Sequence, residues 1–295
     1  MNILLTGASG FIGRNLAYAL KAQGHEVVPV SRRLGVNFSQ MQRASDWLPY
    51  LHGIDAVINA VGIIAQTRAQ RFNAVHSLAP IALFQACMQS GVRRVIQISA
   101  LGADEHATTA YHLSKRAADD ALRGLDIDWF VLRPSLVYGY GGASSGVFMR
   151  LAALPVIPLA GDGQQQVQPV HISDLVAAVL RCLVVERTQL SLDVVGPQVF
   201  SFSQWLQQMR SSQGLDPGRF LSIPLAVVMA ACRLGCFISP LLQPDNLRML
   251  QAGNTADVEP LRQFLNRQPL SVAPAFFFTD GGARFFASGG QTHEL

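Results

Sequence analysis

Met1-Asn2-Ile3-Leu4-Leu5 is an apolar run that leads straight into Thr6-Gly7-Ala8-Ser9-Gly10-Phe11-Ile12-Gly13 and then into Arg14-Asn15-Leu16-Ala17-Tyr18-Ala19-Leu20-Lys21, a stretch with helical periodicity. Strand, glycine turn and helix in this order is the context that a dinucleotide-binding loop requires. Gly7 allows the sharp turn, Gly10 removes a Cβ where backbone must approach pyrophosphate, and Gly13 lets the helix pack closely on the strand. The loop also carries Ser9, which we count among the binding residues. The start of the helix offers free N–H groups and a positive partial charge to phosphates. The glycine spacing is G-x-x-G-x-x-G rather than G-x-G-x-x-G.

The chain behind this loop has 295 residues, enough for one large domain or a domain with a smaller lobe. Its 49% hydrophobic and 14% charged content supplies a large core. The net charge of +4 is modest and the basic residues are scattered, so nucleic-acid binding is not expected. Lys21 and Lys115 are the only lysines, which singles out Lys115. Cys87, Cys182, Cys232 and Cys236 form no C-x-x-C pair, and no histidine stands beside them at metal-ligand spacing, so we expect no metal site. Free buried thiols suit a reducing cytoplasm. With the first strand starting at Met1, no signal or transit peptide is expected either.

Short apolar runs alternate with helical patterns through the first half. His25–Val30, Ile54–Asn59, Val92–Ser99 and Ile127–Leu132 read as strands, and Phe72–Ser90 reads as a helix stopped by Gly91. Strands separated by helices imply a Rossmann-type, doubly wound parallel α/β sheet, whose ligands sit at the carboxyl ends of the strands. We expect the nucleotide-binding domain to span 1–185, with an excursion near 140–165. A smaller, mostly helical lobe follows over 186–275, and then a phenylalanine-rich tail over 276–295. The run Phe220–Leu242 is strongly apolar but interrupted by Pro224, Arg233, Gly235 and Pro240, so it does not read as a membrane span. It reads as a buried or interface helix, and it and the tail are the candidate surfaces for a protein partner or a membrane surface.

Tyr111-His112-Leu113-Ser114-Lys115 opens a helix over 115–125 that places Asp119 and Asp120 on its polar side. A Tyr and a Lys four residues apart share one helix face. A nearby ammonium favours phenolate and lowers the phenol pKa, which would let Tyr111 exchange a proton with a substrate oxygen. His76 and His171 read as structural histidines with no partner set, and His112 as pointing off the Tyr/Lys face.

Four segments together resemble the extended or atypical short-chain dehydrogenase/reductase superfamily, in its epimerase/dehydratase-like branch. They are Thr6–Gly13, Tyr111–Lys115, Leu132–Gly139, and Gly161-Asp162-Gly163 through Val170–Leu175. Val95–Ala103 and Pro244-Asp245-Asn246-Leu247 resemble most the group of the NAD(P)-binding accessory subunit of respiratory complex I. The resemblance implies that Gly7, Gly10 and Gly13, with Phe11 and Ile12, hold pyrophosphate, and that Ala60, Val61 and Gly62 line the adenosine side. It implies Ser99 as the group that polarises the substrate oxygen, Tyr111 as acid/base, Lys115 as its activator and a ribose ligand, and Pro134 as a neighbour of the nicotinamide. Asp174 would cap its helix. Where many relatives carry an acidic residue for adenine, this chain has Asn37, which can still hydrogen-bond. Ser99 also lies only twelve residues before Tyr111, closer than the family's hydroxyl often does.

The second strand ends Val30-Ser31-Arg32-Arg33, with no acid to bond a ribose 2′-hydroxyl. An arginine there accommodates a 2′-phosphate, with Ser31 adding a hydrogen bond, so NADP(H) is expected over NAD(H). The functional expectation is an NADP(H)-dependent oxidoreductase or epimerase acting on a small, apolar carbonyl or hydroxyl compound. The alternatives are a non-catalytic nucleotide-binding subunit of a larger assembly and a redox sensor. The oligomeric state stays open.

Overall fold

In the computed structural model the described residues are 1–235, 244–251, 253 and 255–278. The side chains of 231–235 and of 244, 246 and 247 lie outside that description, as does Cys236. Strand β1 (Asn2–Thr6) is followed by α1 (Phe11–Ala22), β2 (Glu26–Val30), the short α2 (Ala44–Trp47) and β3 (Ala56–Asn59). The chain continues through α3 (Ala79–Ser90), β4 (Arg94–Ile98), α4 (Ala110–Arg123) and β5 (Asp128–Pro134). A wide turn, Asn73–Leu78, runs into α3, and Gly91 ends that helix at a φ of 77°, as its sequence position foretells. Then come β6 (Val137–Tyr138), α5 (Ala143–Ala152), β7 (Val156–Ala160), β8 (Gln166–Val167), β9 (Val170–His171), α6 (Ile172–Val184) and β10 (Leu190–Val194). The chain closes with β11 (Phe200–Ser201), α7 (Phe202–Ser212), β12 (Arg219–Ile223), α8 (Leu225–Gly235), α9 (Pro244–Gln251), α10 (Glu259–Leu265) and α11 (Ala275–Phe278).

Six strands form one parallel sheet in the order β10-β5-β4-β3-β1-β2. Its central strands are mostly apolar because both faces are covered, with Thr6, Asn59 and Gln97 as buried polar exceptions toward their carboxyl ends. Ile3 and Leu5, Ala56 and Ile58, Ile96 and Ile98, and Phe130 and Leu132 enter the layer under α1 and α6. Leu4, Val57, Val95, Trp129 and Val131 enter the opposite layer, under α3 and α4. β2 and β3 lie on opposite sides of β1, so the order reverses there, and the glycine loop stands at that switch point.

Three boundaries differ from those the sequence suggests. β10 pairs with β5 and completes the main sheet, and Leu261 of α10 joins the main core, so the large domain does not stop at 185. The smaller lobe is gathered from separate excursions, with α5, β7, α7, β12 and Phe277 of α11 around Tyr138, Phe202, Trp205 and Met209. The run from Phe220 is not one buried helix: it is strand β12 and then α8, with Leu221 53% and Val227 56% exposed. Residues 236–243 and the tail from 279 lie outside the described residues. Among the described residues no helix is long and apolar enough to cross a membrane, and no group of His, Cys, Asp and Glu could hold a metal ion.

Candidate active site

The glycine loop is tight for steric reasons. Gly7 has a φ of 69°, and a Cβ there would lie 2.6 Å from the Ala60 carbonyl oxygen. A Cβ on Gly13 would stand 2.1 Å from the Gly7 carbonyl oxygen, so the first turn of α1 and the loop can approach only as glycines. Gly10 is the N-cap of α1 and has no side chain to occupy the free N–H groups of the first turn. This cradle fits a pyrophosphate.

Beside it lies a cavity of about 720 Å³. Gly10, Phe11 and Ile12 line one side, Ala60, Val61 and Gly62 another, and Ser99, Tyr111, Lys115 and Pro134 the far wall. Five elements thus bring together the residues that the sequence singles out: the start of α1, the ends of β3, β4 and β5, and the first turns of α4. Thr109 caps α4 by accepting from the His112 N–H at 3.2 Å. The helix buries Ser114, Lys115, Ala118, Asp119 and Leu122, so Tyr111, Lys115 and Asp119 follow one another at i, i+4 and i+8 along the inward face.

Lys115 is 3% exposed, and its Nζ donates to the carbonyls of Ile98 at 3.0 Å and Val61 at 3.3 Å. Burial lowers its pKa to about 8, against the opposing charge of Asp119. Tyr111 packs its ring edge-on against Phe72, His76 and His112, with centroids 5.6, 5.3 and 5.3 Å away. Its pKa is pushed up to about 12, by burial first and then by the Asp119 charge. The expectation that Lys115 lowers this phenol is therefore not met: the ammonium is directed at two backbone carbonyls, and burial dominates. A phenol held protonated is suited to donating to an oxygen that gains charge.

Ser99, 4% exposed, lines the cavity, and its Oγ donates to Asp119 Oδ2. Asp119 is fully buried, which corrects its assignment to the polar side of the helix; Asp120 alone is exposed there, paired with Arg116 and Arg123. Burial raises the Asp119 carboxyl to about 6, against the lowering effects of Ser99, Lys115, Arg123 and Gln97.

The histidines also differ from expectation. His76 is buried with a full partner set: its Nε2 accepts from the Ile63 N–H at 3.0 Å and its Nδ1 meets Ser114 Oγ at 3.0 Å. Burial, helped by the Lys115 charge, holds its pKa well below the usual histidine range, so it is neutral and ties the loop after β3 to α4. His112 turns toward the cavity, with its Nδ1 3.0 Å from Thr109 Oγ1. His171, not Asp174, caps α6 by accepting from the Ser173 N–H. Asp174 instead reaches the C-terminal segment, 2.7 Å from Arg267 and accepting from the Leu270 N–H at 2.8 Å.

Ser31, Arg32, Arg33 and Asn37 stand outside this cavity. Ser31 is buried at the end of β2, and its Oγ has no hydrogen-bond partner. Arg32 and Arg33 are exposed, and Arg32 donates to Gln70 at 3.0 Å. Asn37 spends its side-chain oxygen on the Ser39 N–H, capping a short turn. Gly62 lies against Lys115: a Cβ there would be 3.5 Å from Nζ, which places this loop at the Tyr111 end of the groove. The partnerless Ser31 hydroxyl and the glycine cradle both fit a nucleotide cofactor.

A doubly covered parallel sheet with this loop at its switch point, and a Tyr/Lys pair beside it, defines a nucleotide-binding protein of the extended short-chain dehydrogenase/reductase superfamily. Within it, the chain belongs to the NAD dependent epimerase/dehydratase family, which it matches over residues 3–191. It is 31% identical over 189 residues to a ceramide reductase of Caulobacter vibrioides, covering 59% of this chain and 58% of that one. It is 26% identical over 249 residues to the mitochondrial NADH dehydrogenase (ubiquinone) 1 alpha subcomplex subunit 9 of Arabidopsis thaliana, covering 77% of this chain and 62% of that one. The chain thus spans about three fifths of the length of these two relatives. In fold it is similar to the UDP-glucose 4-epimerase of Thermotoga maritima, with a TM-score of 0.73, 16% identity, and coverage of 98% and 99% of the two chains.

Proposed function

We propose that this protein is an NADP(H)-dependent oxidoreductase that interconverts a carbonyl and a hydroxyl on an apolar small molecule. The observation that carries this reading is the convergence of Ser99, Tyr111 and Lys115 on one cavity beside the glycine loop. A nicotinamide cofactor held by the Gly7–Gly13 loop would supply or accept the hydride. Tyr111, kept protonated by burial, gives its proton to the substrate oxygen during reduction and takes one back during oxidation. Ser99 holds that oxygen, and Lys115 fixes the wall of the cavity and offers its ammonium to a ribose hydroxyl.

The apolar substrate follows from the lining. Ile63, Ile64, Leu101, Leu136, Val137 and Met249 cover the substrate side, and among the described lining residues Lys115 is the one Lys or Arg. A sugar nucleotide would need its own cations for a second pyrophosphate. Arg210 of the smaller lobe is committed to the carbonyls of Ala152, Leu154 and Asp216. The preference for NADP(H) rests on Arg32 and Arg33, exposed to solvent where a 2′-phosphate could meet them, with Ser31 behind them. The cytoplasm is the compartment we propose, supported by the buried free thiols of Cys87 and Cys182.

A second reading, a nucleotide-binding subunit of a larger assembly, is favoured by the apolar face that Phe220, Leu221, Leu225 and Val227 present to solvent. NADPH oxidation against a panel of apolar ketones, aldehydes and quinones separates the two. Turnover by the wild type that is lost in Tyr111→Phe, with NADPH binding retained, supports catalysis. NADPH binding with no turnover on any member of the panel supports the assembly subunit.

A further inference from the structure

Behind Ser99 runs a buried polar chain that the catalytic reading does not use. Thr6, Asn59 and Gln97 are directly paired neighbours on β1, β3 and β4. Each follows an apolar residue of the α3–α4 layer by two positions, so their side chains share that face of the sheet. Thr6 Oγ1 donates to Asn59 Oδ1 at 2.5 Å, and Asn59 Nδ2 donates to Gln97 Oε1 at 2.6 Å. With its oxygen taken, Gln97 has only its NH₂ to offer at the α4 end. There Gln97 Nε2 and Asp119 Oδ1 are both buried without a hydrogen-bond partner of good geometry, while Asp119 Oδ2 holds Ser99. Five side-chain oxygen and nitrogen atoms thus lead to one carboxyl group and one hydroxyl that faces the cavity.

We propose that Asp119 is a positioning residue that sets which way the Ser99 proton points, and so whether the cavity favours a hydroxyl or a carbonyl compound. This rests on the oxidoreductase reading above. As a carboxylate, Asp119 accepts the hydrogen bond of the Ser99 hydroxyl, leaving the serine lone pairs to accept from a substrate hydroxyl. As a carboxylic acid, it donates to Ser99 Oγ, and the serine proton turns to a substrate carbonyl. The change is one proton exchanged with solvent, with no bond to carbon made or broken. The charged and titratable groups facing Asp119 are Lys115, Arg123 and Tyr111 on its own helix, with Ser99 and Gln97 from β4. Burial outweighs the two cations and places the exchange at about pH 6, within the working range of a cytoplasmic enzyme. Asp119→Asn mimics the acid: Gln97 Nε2 claims the Asn oxygen, so the Asn NH₂ faces Ser99.

Infrared difference spectroscopy tests this without any substrate. In the wild type, a protonated-carboxyl C=O band should grow as pH falls through about 6. It should be absent in Asp119→Asn, restored in Asp119→Glu, and in Ser99→Ala should move to higher frequency with a higher midpoint, because Ser99 lowers the Asp119 pKa. A band that ignores Ser99→Ala, or that persists in Asp119→Asn, overturns the proposal. With NADPH and 9,10-phenanthrenequinone as the carbonyl probe, wild-type kcat/KM should rise roughly tenfold as pH falls through the transition, the worth of one hydrogen bond. Asp119→Asn should be flat at the upper level, and a wild-type-like profile in that variant contradicts the proposal. If the wild type reduces no carbonyl probe, the oxidoreductase reading fails, while the infrared result still decides the Ser99–Asp119 link.

Discussion

At one end of the groove, Arg32 and Arg33 stand in solvent beside the buried hydroxyl of Ser31; at the other, Ser99, Lys115 and Asp119 are all but fully buried. The exposed end carries whole charges at little structural expense, because water solvates them until a phosphate arrives. Under the proposed reading this end meets the 2′-phosphate and discriminates between dinucleotides, and substitutions there are expected to leave the fold untouched. The buried end holds three ionisable groups in low dielectric, and each has a shifted pKa as a result: Tyr111 to about 12, Lys115 to about 8 and Asp119 to about 6. Those shifts give a site in which protonation states are set by packing. Binding selectivity and proton transfer are therefore expected to respond to different substitutions and to different pH ranges.

The sharpest break in this comparison is Tyr111→Phe. Removing the phenol oxygen is expected to lower turnover by about 10²–10⁴-fold while the NADPH Kd stays within about twofold, measured by NADPH oxidation and calorimetry. An equal loss of binding would show that the two ends are not separable. Next in size is Arg32→Ala/Arg33→Ala, which should weaken NADPH by about 10–100-fold, the worth of one or two charge-assisted hydrogen bonds, and leave NADH unchanged. Loss of NADH affinity to the same degree would mean that these arginines serve no 2′-phosphate.

The pH dependence of binding sharpens the comparison further. Lys115, with its pKa lowered by burial, gives up its proton more readily in the folded protein than in the unfolded chain. Its ammonium is present below about pH 8 and lost above it, so the buried charge weighs on stability below that value and the weight lifts as pH rises toward 10.5. NADPH affinity should accordingly fall by up to about tenfold per pH unit above 8, and Lys115→Met should abolish that slope. A slope that begins only near the ordinary lysine pKa would show that the cavity does not desolvate this amine. The smallest effect is expected for Ser31→Ala, about threefold on NADPH and none on turnover, because one neutral hydroxyl contributes one modest hydrogen bond.

The glycine loop was legible in the sequence because its geometry admits no other residues: Gly7 needs its left-handed φ and Gly13 has the Gly7 carbonyl where a side chain would be. The Tyr111/Lys115 pair was legible because helical spacing alone puts both on one face. That spacing, carried one step further, reaches Asp119, whose burial the sequence reading missed by treating adjacent acids as a solvated pair. The Thr6–Asn59–Gln97 ladder had a signal too, a polar residue at or next to the end of each of three largely apolar strands, but it acquires meaning only when parallel register sets the three side by side. His76 was unreadable for a related reason, since its partners Ile63 and Ser114 come from other elements. The smaller lobe was misplaced because it is assembled from excursions far apart in the chain, while Leu190–Val194 and Glu259–Leu265 return to the main core.

The most direct test of the account is a calorimetric titration of the purified, nucleotide-stripped protein with NADPH and NADH in parallel. The account expects both to bind, with NADPH at least about tenfold tighter, as an arginine-held 2′-phosphate requires. Binding of neither would contradict it, leaving the glycine cradle and the buried Ser99–Tyr111–Lys115 cluster without the cofactor on which the proposed chemistry depends.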